Sequence, residues 1–248
     1  MDETLEIRKQ LRSWFETDLG QDVLTYEKQK VNKVLPDLFG YHLLQLGSVG
    51  QFDLLSNSRI GNKVIVESEP VETISGLSGL ISTSYTLPVA SESIDLVVLP
   101  HLLEFEPNPH QVLREIYRIL IGEGHVIILG FNPWSWWGLW RILLAWSEKP
   151  PFCGHYIGLT RLRDWLALLD FEIINTEKFY FRPPLKNIKV MKKIIVLEQL
   201  GKFCMPFWGG IYMLVAKKRV VPLTPVKMQW RIRRHMIASG FAEPSTRQ

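Results

Sequence analysis

The sequence has few cysteines and no recognisable leader. Its two cysteines, Cys153 and Cys204, stand at neither a metal-ligand nor a redox spacing. This scarcity excludes a disulfide-dense secreted scaffold and predicts a reduced, cytoplasmic setting. The chain begins MDETLEIRKQ, without a basic region that leads into an apolar core, so we expect no signal peptide. Its 248 residues suffice for one substantial core.

Acidic residues are scarce in the last quarter of the chain. Residues 1–181 carry 15 basic against 23 acidic residues, a net charge of −8, whereas residues 182–248 carry 14 against 2, a net charge of +12. A surface for nucleic acid or another anionic partner would therefore lie at the C-terminal end. Basic clusters such as Leu185–Lys202 and WRIRRHMIASG are more often solvated faces or tails, so we do not favour such a partner. The first cluster is predicted to form an amphipathic helix.

A tryptophan-rich stretch, IILGFNPWSWWGLWRILLAW, is long enough to span a bilayer but does not have the pattern of a span. Pro133 breaks any continuous helix, and Arg141 would lie inside the membrane. We predict instead a short helix from about Ser135 that packs over the sheet edge or over the mouth of an active site, through residues that include Trp137, Trp140 and Leu144. A substrate wall, plain core packing and contact with a membrane interface remain open.

The segment Leu87–Leu129 has the pattern of one strand–helix–strand unit. Ile94–Leu99 is a short apolar run, which predicts a buried strand. From His110 onward, apolar residues recur at helical spacing until Gly122 and Gly124, which are predicted to stop the helix. Val126–Leu129 is then a second buried strand. Such a unit indicates a parallel sheet.

The rest of the chain divides in the same way into helices and short strands, with no internal repeat. Predicted helices cover Leu5–Phe15, Asp22–Leu38, Gln51–Ser58 and Thr160–Leu169, and predicted strands cover Tyr41–Leu46, Lys63–Glu67, Leu80–Thr83, Phe171–Phe181 and Ile211–Ala216. We expect N-terminal helices over residues 1–40, a core domain over 41–217 with an insertion at 132–158, and a basic tail over 218–248.

The stretch LPVASESIDLVVL, followed by LREIYRILIGEGHVII, resembles the second half of the class I S-adenosylmethionine-dependent methyltransferase domain, in the branch called methyltransferase type 11. His101, Glu104, Phe105 and the run Gly130–Gly138 extend the resemblance to an uncharacterised bacterial subgroup of that branch. The resemblance implies an α/β, Rossmann-like fold. Its seven-stranded, mostly parallel sheet would carry helices on both faces and an antiparallel last strand. The implied activity is methyl transfer from S-adenosylmethionine to an acceptor that the sequence does not identify.

The resemblance also implies a cofactor site at the ends of the first strands. A glycine turn lets backbone amides approach a ligand, and a carboxylate at the end of the next strand can accept hydrogen bonds from ribose hydroxyls. The implied cofactor residues are Gln45, Gly47, Ser48 and Gly50 for the amino-acid end, Glu67 for the ribose, Thr83 for the adenine, and Leu99 and His101 for the floor near the methyl group. His101 is the one weak catalytic candidate, as a group that orients substrate or acts as a general base, and a purely structural histidine is the alternative. No metal is implied.

Three positions depart from the family pattern and leave other functions open. Gln45 stands where an acidic residue is usual, Val49 where a glycine is common, and Thr83 where an aspartate is frequent. They favour the alternative of an inactive methyltransferase fold that works as a binding or scaffold protein. A nicotinamide- or nucleotide-binding Rossmann protein is the third hypothesis, but GSVGQF lacks the GxGxxG spacing.

Overall fold

The fold is built on a seven-stranded sheet with the strand order β3-β2-β1-β4-β5-β7-β6. A computed structural model describes residues 2–49, 54–70, 78–143, 150–184 and 206–220. The strands are β1 (His42–Leu46), β2 (Asn62–Glu67), β3 (Ser78–Ile81), β4 (Ile94–Pro100), β5 (Leu120–Phe131), β6 (Phe171–Phe179) and β7 (Ile211–Lys218). Strands β1 to β5 are parallel, whereas β7 runs antiparallel to both β5 and β6. The fold class expected from the sequence is therefore confirmed.

Helices cover both faces of this sheet. They are α1 (Asp2–Phe15), α2 (Asp18–Val34), α3 (Pro109–Ile119), α4 (Trp136–Leu143) and α5 (Leu159–Leu168), with 3-10 turns at Leu35–Asp37 and Pro206–Trp208. Residues of α1, α2 and α4 share one buried cluster with one set of strand residues, such as Val98 and Ile127. Residues of α3 and α5 share a second cluster with the alternate set, such as Val97 and Ile128. This alternation is the period of two that a strand imposes on its side chains.

The strand–helix–strand unit is present, but its two glycines do not end the helix. Helix α3 ends at Ile119, and β5 begins at Leu120, whose backbone is already extended. Gly124 lies within β5, where a Cβ atom would be 3.2 Å from the carbonyl oxygen of Asp95 on β4. Glu123 beside it has a φ of +68°. The glycines therefore allow a kink against the neighbouring strand, and the prediction that they stop the helix was wrong.

Other boundaries differ from the predicted ones by a few residues. Helix α2 starts at Asp18 because the Thr17 side chain accepts a hydrogen bond from the Gly20 amide and caps the helix. The predicted helix at Gln51–Ser58 was wrong for its described part, since residues 54–57 form a turn. The basic segment from 185, the C-terminal cluster after 220, Gly50 and Leu144 lie outside the described residues. Within the described ranges, no helix is long and apolar enough to cross a membrane.

Candidate cofactor site

The carboxyl ends of β1, β2 and β4 meet at one edge of the sheet because the three strands are parallel. A cavity of about 20 Å³ lies at this edge. Its lining brings together the predicted residues Gly47, Ser48, Glu67 and His101, and adds Pro100, Leu102, Phe105 and, from α1, Arg8 and Arg12. Three of the predicted residues that the structure describes are not in this lining, namely Gln45, Leu99 and Thr83. Leu99 is fully buried in the core on the α3 side, and Thr83 forms an isolated β-bridge with Thr86 beyond β3.

The turn after β1 takes the conformation that a glycine permits. Gly47 has a φ of +85°, in the left-handed region, and its amide donates a hydrogen bond to the Val66 carbonyl on β2 at 3.0 Å. The Gln45 side chain donates to the Gly47 carbonyl at 2.8 Å and so holds the turn from within. Val49 is buried in the core beside α1 and α2. Gln45 and Val49, two of the three departures from the family pattern, thus hold the turn from within and anchor it in the core.

Three polar side chains at this edge have buried atoms without a hydrogen-bond partner in the described part of the chain. They are the Oε1 atom of Glu67, at the end of β2, the Oγ atom of Ser48 and the Nε atom of Arg8. Glu67 is 94% buried, since its relative exposure is 6%. A buried polar atom without a partner costs about 1–3 kcal/mol, so such atoms indicate a place where a ligand or water supplies the missing hydrogen bonds. A ligand with hydroxyl donors would satisfy the Glu67 carboxylate.

Arg8 of α1 reaches into the same edge, which the sequence alone did not indicate. Its guanidinium donates to the Ser68 hydroxyl at 2.8 Å and to the Ser84 hydroxyl at 3.3 Å, and it pairs with the Glu106 carboxylate. Ser84 donates to the same carboxylate at 2.6 Å. Burial lowers the pKa of Arg8, and the nearby charge of Glu67 partly offsets this. In the sequence, Arg8 is an arginine in an amphipathic helix, which is a common pattern and does not indicate a site.

His101 lies between two carboxylates in the interior. Its Nε2 atom is 2.6 Å from the Glu27 Oε1 atom of α2, and its Nδ1 atom is 3.3 Å from the Glu104 Oε2 atom. The exposed fraction of each of the three side chains is at most 1%. Glu104 also accepts a hydrogen bond from the Phe131 amide at the end of β5. We call Glu27, His101 and Glu104 the buried triad, which joins α2 to the ends of β4 and β5.

The charge state of the buried triad follows from its geometry. Burial acts to lower the pKa of His101, but the charges and hydrogen bonds of Glu27 and Glu104 outweigh it and raise the pKa to about 10. Burial raises the pKa of Glu104, against the opposing effect of His101. At neutral pH His101 is therefore an imidazolium that donates from both nitrogens. Such a ring has no lone pair with which to accept a proton.

A wide cleft of about 1100 Å³ opens between α1 and residues 150–155, next to the cofactor edge. Its walls include the aromatic rings of Trp14 and Phe105 and the polar side chains of Glu6, Cys153 and His155. Phe105 also lines the small cavity, so the two spaces share this residue. Burial raises the pKa of the Cys153 thiol, which keeps it neutral at pH 7. No group of described residues forms a metal site.

Comparisons with known proteins agree with this geometry. A family model described as a methyltransferase domain matches residues 66–128, which run from the end of β2 into β5. The uncharacterised protein YafS of Escherichia coli is 29% identical over 199 residues, 79% of this chain and 76% of YafS.

Solved structures share the fold at low sequence identity. A chain of a complex that contains the Haloferax volcanii Trm112 methyltransferase activator matches with a TM-score of 0.62 and 14% identity, over 87% of this chain and 98% of that one. An S-adenosylmethionine-dependent methyltransferase from Thermotoga maritima matches with a TM-score of 0.56 and 20% identity, over 77% and 89%. This chain is therefore similar to the methyltransferase domain family over residues 66–128, and it has the Rossmann-like fold of class I methyltransferases.

Proposed function

We propose that this protein transfers a methyl group from S-adenosylmethionine to an acceptor through the edge formed by β1, β2 and β4. The observation that carries the proposal is the Glu67 carboxylate, which is buried at the end of β2 with one oxygen unpartnered among the described residues. Ribose hydroxyls are donors of the kind that this oxygen lacks. The orphaned Ser48 hydroxyl on the facing turn supports the same ligand. No finding favours the inactive alternative.

We assign the residues of the edge as follows. Gln45, Gly47, Ser48 and Gly50 hold the amino-acid end of the cofactor, Glu67 holds the ribose, Thr83 and its neighbours hold the adenine, and Leu99 and His101 form the floor through their backbone. The bound cofactor supplies an electrophilic methyl group on a sulfonium. The chain's own task is to hold donor and acceptor in line and to exclude water, which needs no protein nucleophile.

His101 has a positioning role in this proposal and is not a general base. Its two nitrogens are both engaged by carboxylates, and its ring is enclosed by Phe15 and Phe131 at centroid distances of 5.5 and 4.2 Å. His101 is one of the residues that line the small cavity, and its backbone after β4 has a φ of +48°. The buried triad thereby sets the path of the chain after β4.

The acceptor enters through the wide cleft beside α1. Phe105 lines both this cleft and the cofactor cavity, which supports the cleft as the route of the acceptor to the cofactor. We further propose the division into N-terminal helices over 1–40, a methyltransferase-like domain over 41–217 and a basic tail over 218–248. A cytoplasmic, bacterial setting is supported by the two cysteines and by the relative from Escherichia coli.

Calorimetric titration with S-adenosylmethionine and S-adenosylhomocysteine tests the proposal. The protein is first unfolded and refolded to remove any ligand that copurifies. We expect binding of both ligands. Glu67→Gln should bind at least about tenfold more weakly, because a hydrogen bond to a charged group contributes about 1.5–3 kcal/mol.

The matched control for this titration is Glu172→Gln on β6, an exposed carboxylate at the opposite edge of the sheet, which should bind as the native chain does. No binding of either ligand by the native chain would favour the scaffold alternative. Unchanged binding by Glu67→Gln would contradict the assignment of the ribose site.

A further inference from the structure

Helix α4 has an apolar outer face, the reverse of an ordinary surface helix. Its sequence, WWGLWRIL, contains one charged residue, Arg141. The Arg141 guanidinium is turned inward, 5.2 Å from the centre of the Tyr156 ring. Trp136, Leu139, Ile142 and Leu143 are exposed instead. A helix that is apolar all round is normally buried in a core or in a membrane.

The inner face of α4 already packs against the core. The helix therefore makes its core contacts without the residues of its exposed face. Trp137 is fully buried, stacks on Phe131 at 5.4 Å and donates a hydrogen bond to the Arg182 carbonyl at 3.0 Å. Gly138 is pressed against Pro133, where a Cβ atom would lie 1.8 Å from the carbonyl oxygen. Rotation of α4 about its axis would break these contacts. The helix is therefore held with its apolar side outward.

A second segment continues this apolar face. Trp136 contacts Trp208 edge to face, with ring centres 5.4 Å apart, and the Asn132 side chain donates to the carbonyls of Phe207 and Gly209. We define the tryptophan surface as Trp134, Trp136, Leu139, Ile142, Leu143, Phe207 and Trp208. Trp134 is 79% exposed, Ile142 71% and Phe207 72%. A whole aromatic side chain has an area of roughly 150–250 Å². The area of the tryptophan surface is therefore about that of the largest apolar patches of monomers, which are commonly functional.

A lysine borders the tryptophan surface. None of the seven residues of the surface is acidic, and the Lys178 ammonium lies 5.3 Å from the centre of the Phe207 ring. The sequence 185–205, which ends two residues before Phe207, carries five lysines and one glutamate. Tryptophan rings at the apolar boundary with lysines beside them match the layers of a lipid surface with anionic headgroups.

We propose that the tryptophan surface docks on an anionic lipid bilayer. The side chains of Trp134, Ile142 and Phe207 enter the headgroup boundary, and neighbouring lysines contact anionic headgroups. The protein then lies on the membrane without spanning it. This inference is independent of the cofactor site, since it rests on the opposite part of the strand order, at β5, β7 and β6.

Flotation with large unilamellar vesicles tests this proposal on the full chain. One set of vesicles contains phosphatidylcholine alone, and the other contains equal parts of phosphatidylcholine and phosphatidylglycerol. We expect the protein to float with the anionic vesicles, with a blue shift of its tryptophan fluorescence, and to be released by high salt. The variant Ile142→Gln with Phe207→Gln should bind at least about tenfold more weakly.

A matched control pair exists elsewhere on the chain. Ile81→Gln with Phe39→Gln changes the same residue types at positions that are 59% and 67% exposed, on or near the other half of the sheet. This variant should float as the native chain does. The proposal is overturned if the native chain floats with neither set, if it floats equally with both, or if the control loses as much binding as the test variant. A dimer that becomes monomeric in the test variant, measured by light scattering, would make the tryptophan surface an interface between two copies and would also overturn it.

Discussion

At the scale of single residues, the protein has charged side chains that are buried away from water. His101 is the central case, because its fully buried ring keeps a proton only through Glu27 and Glu104. A buried charge pair stabilises weakly compared with an apolar core, but the loss of one partner is costly. Glu27 has in addition a buried Oε2 atom without a partner in the described ranges. The loss of the His101 proton would therefore leave two buried carboxylates without a cation.

We predict that the stability of the protein falls as the pH rises from about 6.5 towards 10. The pKa of His101 is about 10 in the folded chain and about 6.5 in an unfolded one. Unfolding within this window therefore releases a proton, and the stabilising effect that is complete below pH 6.5 is lost as the pH approaches 10. Urea unfolding should show a slope of up to about 1.4 kcal/mol per pH unit.

The variant His101→Gln should lose this slope, whatever its overall stability. Nitrogen-detected spectra of the native chain should show both ring nitrogens of His101 protonated at pH 8. A neutral imidazole at that pH would contradict the assigned charge state and restore the general-base hypothesis.

At the scale of elements, the buried triad lies beside a close approach of β5 to β7. Gly130 on β5 pairs with Tyr212 on β7, and a Cβ atom at residue 130 would lie 2.5 Å from the Tyr212 hydroxyl and 3.1 Å from the Glu104 Oε1 atom. Burial raises the pKa of Tyr212 and so keeps its hydroxyl neutral in this contact. The lack of a side chain at Gly130 thus leaves room both for Tyr212 in the paired strand and for Glu104 of the buried triad.

We predict that Gly130→Ala lowers the free energy of unfolding by about 1–3 kcal/mol, the usual cost of overpacking a core. Gly61→Ala is the control, because nothing lies within 4 Å of a Cβ atom at that position. Thermal unfolding of the two variants measures the difference. Equal melting temperatures would mean that Tyr212 and Glu104 move aside without cost.

At the scale of the whole molecule, the N-terminal helices close the sheet edge that carries the candidate site. Helix α1 contributes Arg8 and Arg12 to the small cavity and Trp14 to the wide cleft. Helix α2 contributes Glu27 to the buried triad. The N-terminal helices, which were predicted to pack on the core, thus also contribute side chains to the site.

We predict that Arg8→Met lowers the free energy of unfolding by about 3–5 kcal/mol, because it leaves the buried Glu106 carboxylate without its cation. The adjacent Lys9→Met is the control, since Lys9 pairs with Glu69 at the surface and its loss should cost less than about 1 kcal/mol. Urea unfolding measures both. Adding Glu106→Gln to Arg8→Met should recover part of the loss, and no recovery would contradict the pairing.

The sequence by itself determined the parallel core of the fold, and it was enough to predict some residues of the candidate site. Strand β4, helix α3 and strand β5 were readable because hydrophobic periodicity is a local property, although the end of α3 was misplaced where a kink in β5 depends on Asp95 of the neighbouring strand. Gly47 and Glu67 could be predicted because a glycine turn and a strand-end carboxylate are likewise local patterns, and both residues line the small cavity.

Only the tertiary structure decided the partners of His101 and Arg8. His101 meets Glu27 across 74 residues and Arg8 meets Glu106 across 98, so no local pattern connects them. The strand order brings α1 and α2 over the ends of β2 and β4, and burial there selects oppositely charged partners. The outward face of α4 was decided in the same way, because the packing of Trp137 and Gly138 determines which side of an apolar helix meets the solvent.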